Sequence, residues 1–192
     1  YTGFRKQVVV DMDSDPHAVS FYNLDGCSYS NSFQVEATYP FFRGFTLTAA
    51  YRYTDAKTDY RNAESVTRRL KKPLVSDYKG LLTVSYQTPL KKWQFDLTGQ
   101  FNGGGRMPTP DAVNPLWKPD FKAYTIVNAQ VTKYFRRWSI YVGAENIFDY
   151  KQPLPIIDAG NPRGDNFDGS MVWGPVHGRK IYAGLRFNIS RD

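Results

Sequence analysis

Apolar and polar residues alternate along much of this chain, the pattern of β-strands that show an oily face to one side and a polar face to the other. From Trp93 to Phe101 one face carries Trp93, Phe95, Leu97, Gly99 and Phe101, and the other carries Gln94, Asp96, Thr98 and Gln100. Phe33, Val35, Ala37 and Tyr39 oppose Gln34, Glu36 and Thr38 in the same way. Phe45, Leu47, Ala49, Tyr51 and Tyr53 oppose Thr46, Thr48, Ala50, Arg52 and Thr54. Leu82, Val84 and Tyr86 begin a further segment, Val127, Ala129 and Val131 another, and Trp138, Ile140, Val142 and Ala144 a third. The last has Ile181, Ala183, Leu185, Phe187 and Ile189 on its apolar face, with Tyr182, Gly184, Arg186 and Asn188 on the polar one. Only the first segment, around Phe4 to Val10, reads less cleanly, because Lys6 falls among the apolar positions.

The connections between these segments are alternately short and long. Pro40 to Gly44, Thr88 to Lys92 and Phe135 to Arg137 are short. Asp11 to Cys27, Thr54 to Asp77, Gly103 to Asp120 and Asp149 to Gly178 are long. Eight strands in an up-and-down meander follow, with every short turn on one side, as in barrels that have short periplasmic turns and longer extracellular loops. Aromatic residues fall where such a wall needs interface belts. Tyr39, Trp93, Phe135 and Trp138 sit beside short turns, and Tyr53, Tyr78, Phe101 and Phe121 sit near long loops. A soluble β-sandwich with an apolar core face is the competing reading. The alternation of loop lengths, strands of about ten residues and belted ends favour a transmembrane antiparallel β-barrel, an all-β fold.

Composition agrees with that choice. The 14 Tyr, 13 Phe and 4 Trp make 16% of the chain aromatic, high for a soluble domain and normal for a girdled barrel. Mean hydropathy is −0.53, and no apolar run reaches the roughly 18 residues of a spanning helix. The first residues, YTGFRKQVVV, carry no export signal. Cys27, the one cysteine, forms no internal disulfide and says little about compartment.

The net charge of +7 is dispersed rather than striped, so nucleic acid is not an expected partner. The densest group, Arg68, Arg69, Lys71 and Lys72, reads as a solvated loop. No nucleophile motif or phosphate-binding glycine loop is present, so no catalytic residues, cofactor or enzymatic activity are expected. His17 and His177 lie in or beside long loops without the neighbouring ligands of a metal site. Asp11, Asp13 and Asp15 lack the glycine and distal glutamate of a calcium loop and read as facing solvent.

Two further patterns carry a resemblance. Gly184, Phe187 and Ile189 in the last strand resemble the C-terminal signal by which bacterial barrels are recognised for assembly, although the tail Ser190, Arg191 and Asp192 runs past the usual end. Asn146, Ile147, Phe148 and Asp149 resemble the "N-L-F-D" box in the penultimate strand of TonB-dependent outer-membrane receptors. Gly178 and Arg179, within the segment Gly174 to Phe187, resemble the "G-R" start of their final strand. Asp165 to Pro175 is similar to receptors from Bacteroidetes.

The resemblance implies a barrel of about 22 strands with a plug domain inside. This chain would then be its C-terminal eight strands, with the plug domain and N-terminal strands elsewhere in the receptor. It further implies a bacterial outer-membrane location and energised import of a ferric siderophore, haem, cobalamin or similar nutrient. The implied partners are outer-membrane lipid, the rest of the receptor and the TonB complex; a surface lipoprotein is left open. On that reading Gln34, Glu36, Arg52, Gln94, Asp96, Gln100, Asn128, Gln130 and Arg186 face the plug or lumen water. Substrate-binding residues are not identified. Two alternatives stand beside it: a self-contained eight-stranded barrel with a structural or adhesive role, and a soluble β-rich binding module.

Overall fold

The structure, a computed structural model, describes residues 1–14, 18–24, 26–61, 67–108, 116 and 118–189. Among them there are strands and no helix. In chain order the strands are β1 (Thr2–Arg5), β2 (Val8–Asp11), β3 (Ser20–Asn23), β4 (Cys27–Phe42), β5 (Phe45–Arg61) and β6 (Thr67–Lys71). They continue as β7 (Tyr78–Gln87), β8 (Trp93–Asn102), β9 (Gly105–Arg106), β10 (Asp120–Phe121), β11 (Tyr124–Tyr134), β12 (Trp138–Glu145) and β13 (Lys180–Phe187).

Eight of these form an antiparallel wall in the order β1-β4-β5-β7-β8-β11-β12-β13, with β6 paired to β5 off this path. Each wall strand pairs with its neighbour in the meander, as the alternating loop lengths predict. Among the described residues β1 and β13 do not pair, so the sheet is open at both edges. That is the form of a partial barrel wall and not of a closed eight-stranded barrel.

The register carries the sequence alternation across the wall. One row on the outer face runs Tyr39, Leu47, Val84, Leu97, Ala129, Ala144, Ile181. A second runs Phe45, Tyr86, Phe95, Val131, Val142, Ala183. These side chains have no protein over them: Leu97 is 51% exposed, Val142 52% and Ile181 76%. In water such a patch would be a liability; against hydrocarbon it is the surface a barrel needs.

The inner face is polar and cross-linked. Thr38, Thr48, Thr83 and Thr98 form a ladder, with hydroxyl contacts of 3.1 Å between the first two and 3.0 Å between the last two. Toward the short-turn end Ser85 donates to Asp96 at 2.6 Å, Gln94 donates to the same carboxylate at 2.9 Å, and Tyr134 donates to Gln94 at 2.9 Å. Tyr182 donates to Gln130 at 3.0 Å. Among the described residues no buried side-chain nitrogen or oxygen lacks a partner.

Two glycines on this face are slots for rings. Gly143 is opposite Tyr182 and Gly184 is opposite Tyr141, and a Cβ on either glycine would collide with the facing tyrosine. The two rings meet edge to face at 6.2 Å. Gly184 thus admits Tyr141 flat onto β13, an aromatic-over-glycine pairing that pins register.

Three expected boundaries shift. The segment Phe4 to Val10 is two strands: Lys6 takes a left-handed φ of 54°, which ends β1 and sends β2 off the wall into a ribbon with β3. The expected loop Thr54 to Asp77 is partly strand, since β5 runs on to Arg61, pairs with β4 as far as Ser28↔Thr58, and carries β6 on its other edge. Arg68, Arg69 and Lys71 therefore lie on a strand and not in a loop. The expected loop Gly103 to Asp120 begins and ends with the short pair β9 and β10.

Replacing Gly184 with Val should expel the Tyr141 ring and cost about 1–3 kcal/mol, the usual penalty of overpacking. Ala183→Val, one position along but exposed on the outer face, should be tolerated. The measurement is the urea midpoint of folded receptor in detergent micelles, followed by heat-modifiable gel migration.

Candidate functional site

The long connections gather at one end of the wall, and three sets of contacts hold them there. The first ties the last two hairpin arms together. Asn146 ends β12 with φ of 52° and is buried at 5% exposure. Its side chain closes a turn by donating to the Tyr150 carbonyl at 2.7 Å and accepting the Tyr150 N–H at 2.9 Å. Its own N–H donates to the Asn128 side chain on β11 at 2.9 Å. Asp149, at the end of this turn, accepts the Arg179 N–H at 2.7 Å, and the Arg179 Nε donates to the Ile147 carbonyl at 2.8 Å. A Cβ at Gly178 would run into the Asp149 carboxylate. The two sequence boxes are therefore the halves of one clasp. Phe148, 75% exposed, takes no part in it.

The second set is centred on Arg106. Its guanidinium forms a two-pronged ion pair with Asp13, at 2.6 and 2.8 Å, while its Nε donates to the Lys71 carbonyl at 2.8 Å. One side chain thus joins the first three long connections. Asp11, expected to face solvent, is 1% exposed: its carboxylate accepts the Asp13 N–H and the Tyr22 hydroxyl at 2.8 and 2.9 Å, so it organises the β2–β3 ribbon from inside. Asp13 faces Arg106 and not water. Asp15 and His17 lie outside the described residues. Nearby, Arg69 donates to Asp59 at 2.7 Å, and that hydrogen bond, the largest influence on it, holds the Asp59 carboxyl below its ordinary value.

The third set folds the last long connection onto itself. Gln152, 4% exposed, donates to the Met171 carbonyl at 2.7 Å and accepts the N–H groups of Trp173 and Gly174 at 2.8 and 2.9 Å. This places Met171 and Trp173 against Met107, Phe121 and Ile157 in a small apolar core. Phe121 and Trp173 stack at 4.9 Å, and Tyr124 and Tyr150 stack at 5.1 Å with parallel planes. Burial pushes the Tyr150 hydroxyl above its ordinary pKa, so it stays protonated.

A cavity of about 500 Å³ opens beside this core, lined by Met107, Phe121, Tyr150, Ile157, Met171 and Trp173, with Lys118, Lys122, Lys151 and the carboxylate of Asp120 among its other walls. Lys151 is 3.6 Å from Asp149. Such a pocket can take a ligand with an apolar or ring-bearing body and negative charge. A second cleft of similar size lies on the inner face between Gln100, Asn128, Glu145, His177 and Lys180. Among the described residues no group of three or more metal-ligating side chains occurs.

The expected belt residues divide. Tyr39, Trp93, Phe135, Tyr53, Tyr78 and Phe101 are exposed, and Trp138 stacks on Phe135 at 3.8 Å. Phe121 is the exception: at 5% exposure it is part of the loop core and cannot meet lipid, because Met171 and Trp173 fold over it. Phe187 and Ile189, at 60% and 86%, are outward and uncovered, while Ser190 to Asp192 lie outside the described residues. Arg106 and Gln152 went unseen in the sequence because their partners are distant along the chain.

A family model described as "TonB dependent receptor-like, beta-barrel" matches residues 4–147. No curated protein matches. Among solved structures, the copper transporter OprC superposes with a TM-score of 0.67 at 16% identity, covering 96% of this chain and 27% of its own. A mutant of the ferric enterobactin receptor PfeA from Pseudomonas aeruginosa gives 0.63 at 16% identity, over 95% and 27%. The FrpB iron transporter from Neisseria meningitidis gives 0.60 at 9% identity, also over 95% and 27%. The chain thus spans about a quarter of the length of each.

Truncating Arg106 to Ala should cost about 3 kcal/mol locally, since the Asp13 carboxylate loses its guanidinium in a poorly hydrated place. Amide exchange should then accelerate together in residues 8–14 and 67–77 and leave β8 and β11 unchanged. In the clasp, the Asp149 carboxyl lies below its ordinary pKa, foremost because the Arg179 N–H donates to it, with desolvation opposing. A lowered folded value means the clasp is fully formed above the ordinary aspartate pKa and weakens only as pH falls through the folded one. Gly178→Ala should open it at neutral pH, seen as faster proteolysis within 149–178, and Asp149→Asn should remove the acid sensitivity.

Proposed function

The chain belongs to the TonB dependent receptor-like β-barrel family, and from that premise we propose that it is the closing part of the wall of an outer-membrane receptor that imports a scarce nutrient. Its fold and family place it in the bacterial outer membrane. The observation that carries the proposal is the open eight-stranded wall, with lipid-ready residues outside, a hydrogen-bonded polar face inside and, among the described residues, no strand covering the outer edge of β1 or β13. Edges of that kind do not persist in hydrocarbon and require further strands. N-terminal strands and a plug domain from the rest of the receptor would supply them and fill the polar lumen. TonB would deliver the energy through that missing part.

Within this reading the wall residues take their roles. Tyr39, Trp93, Phe135 and Trp138 form the belt at the short-turn side, and Tyr53, Tyr78 and Phe101 form the opposite one. Gly184, Phe187 and Ile189 serve as the assembly signal. The cavity beside Phe121 and Trp173 contacts the substrate, which we infer to be a metal-bearing nutrient such as a ferric siderophore, haem or cobalamin. The solved relatives include a ferric enterobactin receptor and a copper transporter, and the pocket's aromatic floor and lysine rim suit an anionic, ring-bearing chelate. A surface lipoprotein partner rests on the Asp165 to Pro175 segment alone.

The test is uptake of radiolabelled iron chelates, haem and cobalamin by cells that depend on the full-length receptor. Import of one of them should vanish when TonB is deleted. Trp173→Ala combined with Lys122→Gln should weaken its binding at least about tenfold, a loss of about 1.4 kcal/mol, without changing the amount of folded receptor. Uptake that continues without TonB would overturn the proposal.

A further inference from the structure

We propose that the short-turn end of the wall holds anionic phospholipid headgroups of the periplasmic leaflet, with Lys133 as the contact on the membrane-facing side. The inference rests on the wall's orientation argued above and adds a ligand for its other end. The three short turns, Pro40 to Gly44, Thr88 to Lys92 and Phe135 to Arg137, contain Arg43, Lys91, Lys92, Arg136 and Arg137 and no aspartate or glutamate. All five cations are exposed. The tail beyond Ile189 adds Arg191 and Asp192, whose charges offset, and lies outside the described residues.

Lys133 supplies the direction. It is opposite Trp93 on β8 and Ile140 on β12, so it shares their outward face and not the polar inner one. Its Nζ lies 4.9 Å from the Trp93 ring centroid and 5.2 Å from that of Phe135. The two rings hold the ammonium at the edge of the apolar belt, where a lysine stem lies in hydrocarbon and its charge meets the headgroups. The one carboxylate on the neighbouring strand β8, Asp96, is on the opposite face and bound to Ser85 and Gln94. Lys133 thus points to the side that the barrel turns toward lipid. That favours a lipid over an acidic protein, which would meet the turns from the periplasm and leave Lys133 aside. A zwitterionic headgroup brings its own cation and gains little here; a phosphatidylglycerol-type headgroup carries net negative charge into a field of six cations.

The experiment places purified full-length receptor in nanodiscs of mixed phosphatidylethanolamine and phosphatidylglycerol and counts retained lipids by native mass spectrometry. Wild type should retain phosphatidylglycerol in excess of its share. Lys133→Met, which keeps the aliphatic stem, should lower that retention about fivefold, the effect of one surface cation, and Lys133→Arg should restore it. Neutralising Arg43, Lys91, Lys92, Arg136 and Arg137 to Gln should abolish the excess, while Ala183→Val leaves it unchanged. Heat-modifiable migration confirms folding in each case. Equal retention of both lipids by wild type, or unchanged retention in Lys133→Met, would overturn the proposal. So would a polyglutamate peptide whose binding falls in Lys133→Met while lipid retention does not. TonB-independent uptake would remove the functional reading without touching this lipid result.

Discussion

Within hydrocarbon every backbone N–H and C=O needs a partner in the protein, because lipid offers none and each orphan costs several kcal/mol. The wall follows from that requirement. The wall strands from β5 to β12 pair on both edges over most of their apolar stretch, as β8 does with β7 from Gln94 to Asn102 and with β11 from Trp93 to Asn102, while β4 meets β1 only from Cys27 to Ser30. Register is then set by the side chains, since a slip of one residue would turn Leu97 inward and Asp96 toward lipid. The ring-on-glycine pairs at Gly143 and Gly184 reinforce it where β12 and β13 are short.

The same requirement explains what could be read from the sequence. Where a strand has lipid on one side and a polar lumen on the other, its residues must alternate, and Trp93 to Phe101 or Ile181 to Ile189 announce themselves. Beyond the belt both faces of a hairpin meet water, and alternation loses its cause. Thr54 to Arg61 is nearly all polar, reads as loop, and is strand. Lys6 was the one misfit in its segment and proved to be the break between β1 and β2. Phe121 shows the limit from the other side. A phenylalanine beside a loop satisfies a lipid belt or a loop core equally, and only Met171 and Trp173, some fifty positions on, decide between them.

The loops depend on another economy. With water available, their backbone need not be sheet-paired, and a few polar side chains with several partners each replace the ladder. Arg106 reaches across 93 positions to Asp13. Gln152 gathers three backbone groups from Met171 to Gly174. No local pattern marks such residues, because their meaning lies in contacts that exist only after folding. The clasp is different: Asn146 to Asp149 and Gly178 to Arg179 were visible as motifs, and the structure supplies their physical content, a turn that needs a left-handed Asn and a glycine that leaves room for a carboxylate.

These arrangements make the wall and the loop end mechanically continuous. Asn146 is bound to β11 through Asn128 and begins the turn that presents Tyr150 to Tyr124. Tyr124 also contacts Trp173, which Gln152 holds. The supports of Trp173 therefore lead, through two aromatic contacts and one asparagine, to the backbone of the barrel. The polar inner face is cross-linked by its own hydrogen bonds, whereas the long connection between β12 and β13 is held by Gln152 within it and by the contact between Asp149 and Arg179 at its base. The clasp at Asp149 and Arg179 is where the sheet-paired backbone of the wall gives way to a loop held by side chains.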